Sequence, residues 1–280
     1  MILIADSGST KTDWRFISSG GKIIQYESAG LNPYFWTDAK LLEEISRMAE
    51  FFGSNSVREI YFYGSGLGDP HQKTRMYNAL EGHFGKLNRL EVQHDLLGAA
   101  RAACGHEAGI ACILGTGANA CFFDGSQITG EAVSLGYILG DEGSGAWFGK
   151  QFLAAYLRKE LPPEIELEFT RNEVLQREEV LMQVYRGEQP NKYLAQFTRF
   201  LEQHKNHPYI YRMIYDGINR FLDKHVSPFR AEKHISIHFV GSLAFHFQDI
   251  VRKAVLDSEL RCGRFLQSPI AGLTLYHQQQ

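Results

Sequence analysis

The chain has 280 residues and a formal charge of -3, from 29 basic and 32 acidic side chains. Two domains of ordinary size fit that length, and 44% hydrophobic against 22% charged residues supplies a core for each, which excludes a disordered chain. Near-balanced charge gives no electrostatic ground for nucleic acid or a membrane surface as partner, and no window holds the roughly 18 apolar residues of a membrane span.

In chain order, the apolar run Ile2–Ala5 reads as a strand, and Asp6-Ser7-Gly8-Ser9-Thr10-Lys11 as a Gly/Ser/Thr tip. A nucleotide-binding P-loop needs an earlier glycine and a helix behind it. Here Thr12 to Ile17 alternates polar and apolar like a second strand, so the opening is a hairpin. A helical stripe over Asp38 to Phe52, a strand over Glu59 to Tyr63, a helix over Gln72 to Phe84 and a strand over Leu90 to His94 follow. Alternation of strands and helices predicts an α/β fold. The hairpin grammar then returns in Ile110–Leu114, the tip Gly115-Thr116-Gly117-Ala118-Asn119 and Ala120–Phe123, an internal repeat that predicts two related domains. Residues 143 to about 226 read as almost wholly helical, with breaks at Pro162-Pro163, Pro190 and Pro208. A strand over His234 to Val240 and a helix from Gly241 to about Leu256 close the pattern.

Four cysteines, Cys104, Cys112, Cys121 and Cys262, lack C-x-x-C spacing and read as reduced thiols of a cytoplasmic chain. The N-terminal apolar run meets an acid at Asp6, too soon for a signal peptide.

Four stretches carry candidate chemistry. The first tip offers backbone amides, hydroxyls, Lys11 and the strand-end acid Asp6, a set suited to phosphate and to Mg²⁺ held through water; taken alone it also reads as a solvated turn. Asp95 follows the strand ending at His94, where ligands collect in open α/β sheets and where a carboxylate can orient a substrate hydroxyl; an N-cap for the next helix fits the same position. In "GYILGDEGSGAWFGK", Gly136, Gly140, Gly143 and Gly145 bracket Asp141 and Glu142, a loop able to offer amides and a carboxylate to a polyol, beyond what a helix cap needs. "FVGSLAF" ends a strand with small residues that admit a flat ligand, or tight packing.

Taken in order, "DSGSTKTDW", "VQHDLLGAA", "ILGTGANA", "GDEGSGAW" and "FVGSLA" resemble the phosphate-1, catalytic acid, phosphate-2, sugar-loop and adenosine motifs of the actin-like ATPase superfamily. Within it the chain is most similar to the N-acetylglucosamine kinase group, joined to the BadF/BadG-type ATPases that activate benzoyl-CoA reductase and 2-hydroxyacyl-CoA dehydratase. The resemblance implies two ribonuclease H-like domains with an interdomain cleft. These are residues 1–100, joined by a C-terminal helix at about 267–280, and residues 101–266 with a helical insertion. It implies ATP and Mg²⁺, with Asp6 holding the metal through water and Gly8, Ser9, Thr10 and Lys11 lining the phosphates. Thr116 and Gly117 would grip phosphate from the second domain. Asp95 would be the catalytic base, and Asn32, Ala118, Asn119, Gly136 and Asp141 would contact the sugar. Gly241, Ser242 and Ala244 would face adenosine.

The activity implied is phosphorylation of an amino sugar, N-acetylglucosamine at its 6-hydroxyl, in a chain that also fits a homodimer. Ser134-Leu135-Gly136-Tyr137 stands where animal enzymes of the group carry Gly-Gly-Trp-Gly, and the zinc-binding C-x-C-G-x-x-G-C run of repressor-related sugar kinases is absent from the sequence. An ATPase that activates a redox partner, and a sugar-sensing module without turnover, are the alternatives.

Overall fold

The computed structural model of the chain describes residues 1–8, 11–52, 57–172, 174–229 and 235–279. The readings of Ser9, Thr10 and His234 lie outside the described residues. The elements run β1 (Ile2–Ser7), β2 (Lys11–Ile17), β3 (Ile23–Ala29), α1 (Asp38–Phe52), β4 (Glu59–Gly64), α2 (Pro70–Phe84), β5 (Arg89–His94) and α3 (Asp95–Cys104). Next come β6 (Gly109–Leu114), β7 (Ala118–Phe123), β8 (Ile128–Glu131), α4 (Gly136–Leu139), α5 (Gly145–Leu157), α6 (Pro163–Asn172), α7 (Arg177–Arg186), α8 (Pro190–Ala195), α9 (Thr198–Gln203) and α10 (Pro208–Phe221). A π-helical turn at Leu222–Val226 and a 3₁₀ turn at Ser227–Phe229 lead to β9 (Ser236–Val240), α11 (Ser242–His246), α12 (Gln248–Asp257), β10 (Arg261–Leu266) and α13 (Ile270–Gln278).

The chain divides into two compact units, one of residues 1–106, 125–127 and 269–280 and the other of residues 107–124 and 128–268. In the first, a five-stranded sheet has the order β3-β2-β1-β4-β5. Strands β1 and β2 pair antiparallel, as do β2 and β3, while β1, β4 and β5 are parallel. Period-2 alternation sends Leu3, Ala5, Trp14, Phe16, Ile60, Phe62 and Val92 to one face, where they pack with Leu41, Ile45, Met48, Met76 and Leu80 of α1 and α2. The opposite face carries a polar cluster. Arg101 of α3 donates to Glu91 and to the Tyr63 hydroxyl, which lies 2.8 Å from Nε2 of His277 on α13. Burial pushes the Tyr63 phenol above its ordinary pKa, so it stays a neutral hydroxyl in that network. Gly272 lets α13 approach α3, since a Cβ there would lie 2.4 Å from the Ala102 carbonyl.

In the second unit the sheet order is β10-β9-β6-β7-β8, with β6 antiparallel to β7, β7 antiparallel to β8, and β6, β9 and β10 parallel. Counted in each unit's own strand order, both sheets have the ribonuclease H-like arrangement 3-2-1-4-5. The units differ between the third and fourth strand, where the first has α1 and the second has α4 to α10. Pro163, Pro190 and Pro208, read from the sequence as breaks, each begin the next helix, where a missing N–H costs nothing.

Some elements depart from expectation. The sequence reading passed over β3 and β10. The helix expected from Gly241 to Leu256 is interrupted at Phe247, which caps α11 and opens α12. Asp95 is the first residue of α3, and its N-cap is His94.

Candidate functional site

The parallel register of the first sheet brings Ser7, Gly64 and His94 level, so β1, β4 and β5 end along one carboxyl edge. Asp6 stands one residue before that edge and Asp95 one residue after it. With neighbouring strands about 4.8 Å apart and a rise of about 3.3 Å per residue along them, the backbones of the two acids are roughly 12 Å from each other across β4. Asp6 lies directly opposite Asp13, and Asp13 opposite Glu27, so three carboxylates form a row on one face.

Lys11 belongs to that row. Its ammonium lies 3.1 Å from Asp13 and 3.1 Å from Glu27, and its side chain is half-exposed beside the tip. Ser7 departs from the reading. The sequence reading offered it at the tip as a donor, but it is buried, with its hydroxyl 2.9 Å from that of Thr12. Ser7 Oγ accepts from the Leu31 amide at 2.9 Å, and Thr12 donates to the Ala29 carbonyl at 3.0 Å. The hydroxyls of the motif therefore hold the start of the loop that carries Asn32. Gly8 is exposed at the turn and donates its amide to the Lys11 carbonyl at 3.0 Å.

Asn32 is buried at the same edge. Its carboxamide donates to Ser65 at 3.3 Å and accepts from the Tyr34 amide at 3.0 Å. Beneath it lies Gly66, with φ +82°, where a Cβ would fall 2.7 Å from Asn32 Oδ1. Only glycine suits both that backbone and that contact. The sequence reading missed Gly66, although "GSGLGDP" after a strand is a loop signal.

In the second unit the tip Gly115-Thr116-Gly117 is docked on the start of α5. Gly145 donates to the Gly115 carbonyl at 2.8 Å and Ala146 to that of Thr116 at 3.1 Å. Thr116 is exposed there. A Cβ on Gly117 would lie 3.0 Å from the Asp141 carboxylate, so glycine keeps this approach open. Asp141 itself is buried, adopts φ +55°, and accepts from the Ala118 amide. Burial raises its pKa, opposed by the Ala118 amide and reinforced by Glu142. Ser144 caps α5 by accepting from the Trp147 amide at 3.1 Å, a role the sequence reading did not assign.

Other predicted positions are used differently. Ala118 and Ala244 are core residues, so Ala118 contributes its amide, and the Ala244 side chain serves packing in place of facing a ligand. Asn119 donates to Glu131 at 3.2 Å. Gly136 opens α4 with φ +69° and is exposed, as is Ser242 at the start of α11. Gly241 has φ +122° and would place a Cβ 2.3 Å from the Leu114 carbonyl, a close approach that no other residue permits.

Among the described residues, no cluster of three or more His, Cys, Asp or Glu side chains is arranged to hold a metal ion, and no helix is long and apolar enough to cross a membrane. The facing pair Asp6 and Asp13 fits Mg²⁺, which keeps most of its waters and takes one or two carboxylates beside substrate phosphates.

Two sheets of one topology, each with a glycine-bearing hairpin tip, define the chain as a two-domain protein of the actin-like ATPase and sugar kinase fold. A Porphyromonas gingivalis protein, named as a candidate N-acetylglucosamine kinase, is 38% identical over 100% of this chain and 99% of its own, with a TM-score of 0.93. By that likeness the chain belongs to the N-acetylglucosamine kinase-like family of sugar kinases. A Chromobacterium violaceum protein named in the same way shares the fold at 17% identity and a TM-score of 0.77, over 98% of each chain. The ROK hexokinase of Thermus thermophilus does so at 15% identity and a TM-score of 0.57, over 98% of this chain and 97% of its own. No protein-family model and no curated protein matches the chain.

Proposed function

We propose that the chain transfers the γ-phosphoryl group of ATP to the 6-hydroxyl of an amino sugar, N-acetylglucosamine, in the cytoplasm. The observation that carries this reading is the gathering of Asp6, Asn32 and Asp95 at the carboxyl edge of one sheet, in a chain of sugar kinase family. Membership of the BadF/BadG group of that superfamily is part of the proposal, supported by the motif order in the sequence.

Asp95 would accept the hydrogen bond of the acceptor hydroxyl and aim its oxygen at the γ-phosphorus. The new bond is O6–P, the bond broken joins the γ-phosphorus to its bridging oxygen, ADP leaves, and the hydroxyl proton passes to the Asp95 carboxylate. Asp6 would hold Mg²⁺ through water, and the metal would supply charge neutralisation on the phosphates. Gly8, Ser9 and Thr10 would offer donors to the phosphates from the first tip, while Lys11 offsets Asp13 and Glu27 beside them. Thr116 and Gly117 would do so from the second tip. Asn32, Asn119, Gly136 and Asp141 would bind sugar hydroxyls, with Asp141 as a two-oxygen acceptor. Gly241 and Ser242 would border the adenosine.

The test is ADP release from Mg-ATP without sugar and with N-acetylglucosamine, glucosamine, N-acetylmannosamine and glucose, beside Asp95→Asn. Release that needs N-acetylglucosamine and falls about 10²- to 10⁴-fold in the variant supports the reading. Sugar-independent release would sink it and favour an ATPase acting on a partner protein.

A further inference from the structure

The loop that carries Asn32 has almost no secondary structure of its own, and its backbone is held by one side chain from α2. Arg75, in the second turn of that helix, donates Nη1 to the Pro33 carbonyl at 2.7 Å and Nη2 to the Trp36 carbonyl. Its Nε pairs with Asp38 at the start of α1, and Nη1 also reaches Gln72 at 3.3 Å. The guanidinium is largely covered, while Asp38 is exposed. The same helix holds the loop a second time: Asp69, the N-cap of α2, accepts from the Tyr34 hydroxyl at 2.9 Å.

We infer that Arg75 is a positioning residue for the sugar site, fixing the Pro33–Trp36 backbone so that Asn32 presents its carboxamide in one orientation. This inference rests on the reading of Asn32 as a sugar contact. The physical case is one of geometry. Two carbonyls three residues apart, with lone pairs facing one planar fork, specify the loop curvature between them, and a fork of five fixed donors can satisfy both together with a carboxylate. An ammonium on a flexible stem matches the charge but not the fork. Asn32 Oδ1 is already spent on the Tyr34 amide, one residue beyond Pro33, so a shift of the Pro33–Trp36 backbone is passed directly to the carboxamide. A displacement of about 1 Å at a substrate-positioning group costs up to roughly 100-fold in turnover efficiency.

The experiment compares Arg75→Ala, Arg75→Lys and Asn32→Ala with the parent chain, using N-acetylglucosamine and ATP as varied substrates. Hydrogen–deuterium exchange of residues 31–37 is measured in the absence of both ligands. The expected result is a KM for N-acetylglucosamine raised about 10- to 100-fold in Arg75→Ala, with the KM for ATP unchanged and faster exchange confined to residues 31–37. Arg75→Lys should resemble the alanine variant, and millimolar guanidinium should restore part of the sugar KM in Arg75→Ala. Unchanged exchange in the loop, or a lysine variant equal to the parent chain, overturns the inference. If Asn32→Ala leaves the sugar KM unmoved, the reading of Asn32 fails instead. If Asn32→Ala raises the sugar KM and Arg75→Ala does not, the sugar contact stands and the role of Arg75 is refuted.

Discussion

Replacing Gly241 by alanine asks whether the second sheet is built around one close backbone approach. Gly241 follows β9 with φ +122° and ψ 155°, and its amide donates to the Leu266 carbonyl at 2.9 Å, tying β9 to the end of β10. A methyl group there would lie 2.3 Å from the Leu114 oxygen and 2.8 Å from its carbon, both backbone atoms of the central strand β6. The dihedral pair is almost restricted to glycine and costs about 1–3 kcal/mol for any other residue, and forcing the strands apart adds a further ~1–3 kcal/mol. The sum, about 2–6 kcal/mol, is a large share of the 5–15 kcal/mol of a typical domain. At about 2–4 °C per kcal/mol the thermal midpoint should fall by roughly 5–20 °C. Thermal melts and urea midpoints of Gly241→Ala measure it, with Gly115→Ala as control because nothing lies within 4 Å of a Cβ at that tip. The control should match the parent chain or exceed it slightly, since alanine narrows the unfolded ensemble. A Gly241→Ala chain as stable as the parent would refute the close approach, and with it the argument that β6 and β9 leave no room for a side chain.

Asp141→Asn should be no less stable than the parent at pH 7, because burial raises the carboxyl pKa and asparagine accepts φ +55° well; it should nevertheless raise the sugar KM, and a clear loss of thermal midpoint would contradict the first half. His238 is pushed down to about 4 by burial and by Arg264, with Glu107 opposing. Its neutral ring therefore stabilises the fold above the ordinary 6.5, and that contribution drains away as pH falls through about 4. An NMR titration of its ring should show a midpoint near 4. The pH dependence of stability should be shallower in His238→Asn, and a midpoint near 6.5 would overturn the burial argument. Asp6→Asn should leave N-acetylglucosamine binding by calorimetry unchanged and lower kcat by about 10²-fold or more, with a raised Mg²⁺ requirement; unchanged kcat at limiting Mg²⁺ would remove Asp6 from the metal site.

The central strands were legible because they are apolar on both faces or alternate cleanly, as in Ile110–Leu114 and Glu59–Tyr63. The two strands passed over, β3 and β10, both lie at sheet edges. In β3 alternate residues are exposed, and β10 carries Arg261, Gly263 and Arg264, so the hydrophobic signal that marks a strand is thin where solvent takes one side. The residues of the proposed site divide in the same way. Asp6, Asp95 and Asp141 were legible as acids at strand ends or in a glycine loop. Gly66, Thr12 and Arg75 were not, because each acts through a contact with the Asn32 loop, and nothing in local spacing announces a partner 17 to 42 residues away.

The two hairpin tips share a sequence grammar and a sheet topology, yet the structure spends their polar groups on different tasks. In the first, Ser7 and Thr12 turn inward and hold the Leu31 amide, so part of what reads as a phosphate cradle builds the neighbouring Asn32 loop. In the second, Gly115 and Thr116 give their carbonyls to the start of α5, and Gly117 leaves room for Asp141. Each tip thereby fixes the acidic or amide side chain beside it: Asn32 through Leu31, and Asp141 through Ala118 and Gly117. A substitution such as Thr12→Val, which keeps the volume but removes the hydroxyl, would then act on the Asn32 loop before it acts on phosphate. The expected sign is a raised sugar KM with the ATP KM held, and the reverse pattern would return those hydroxyls to the phosphates.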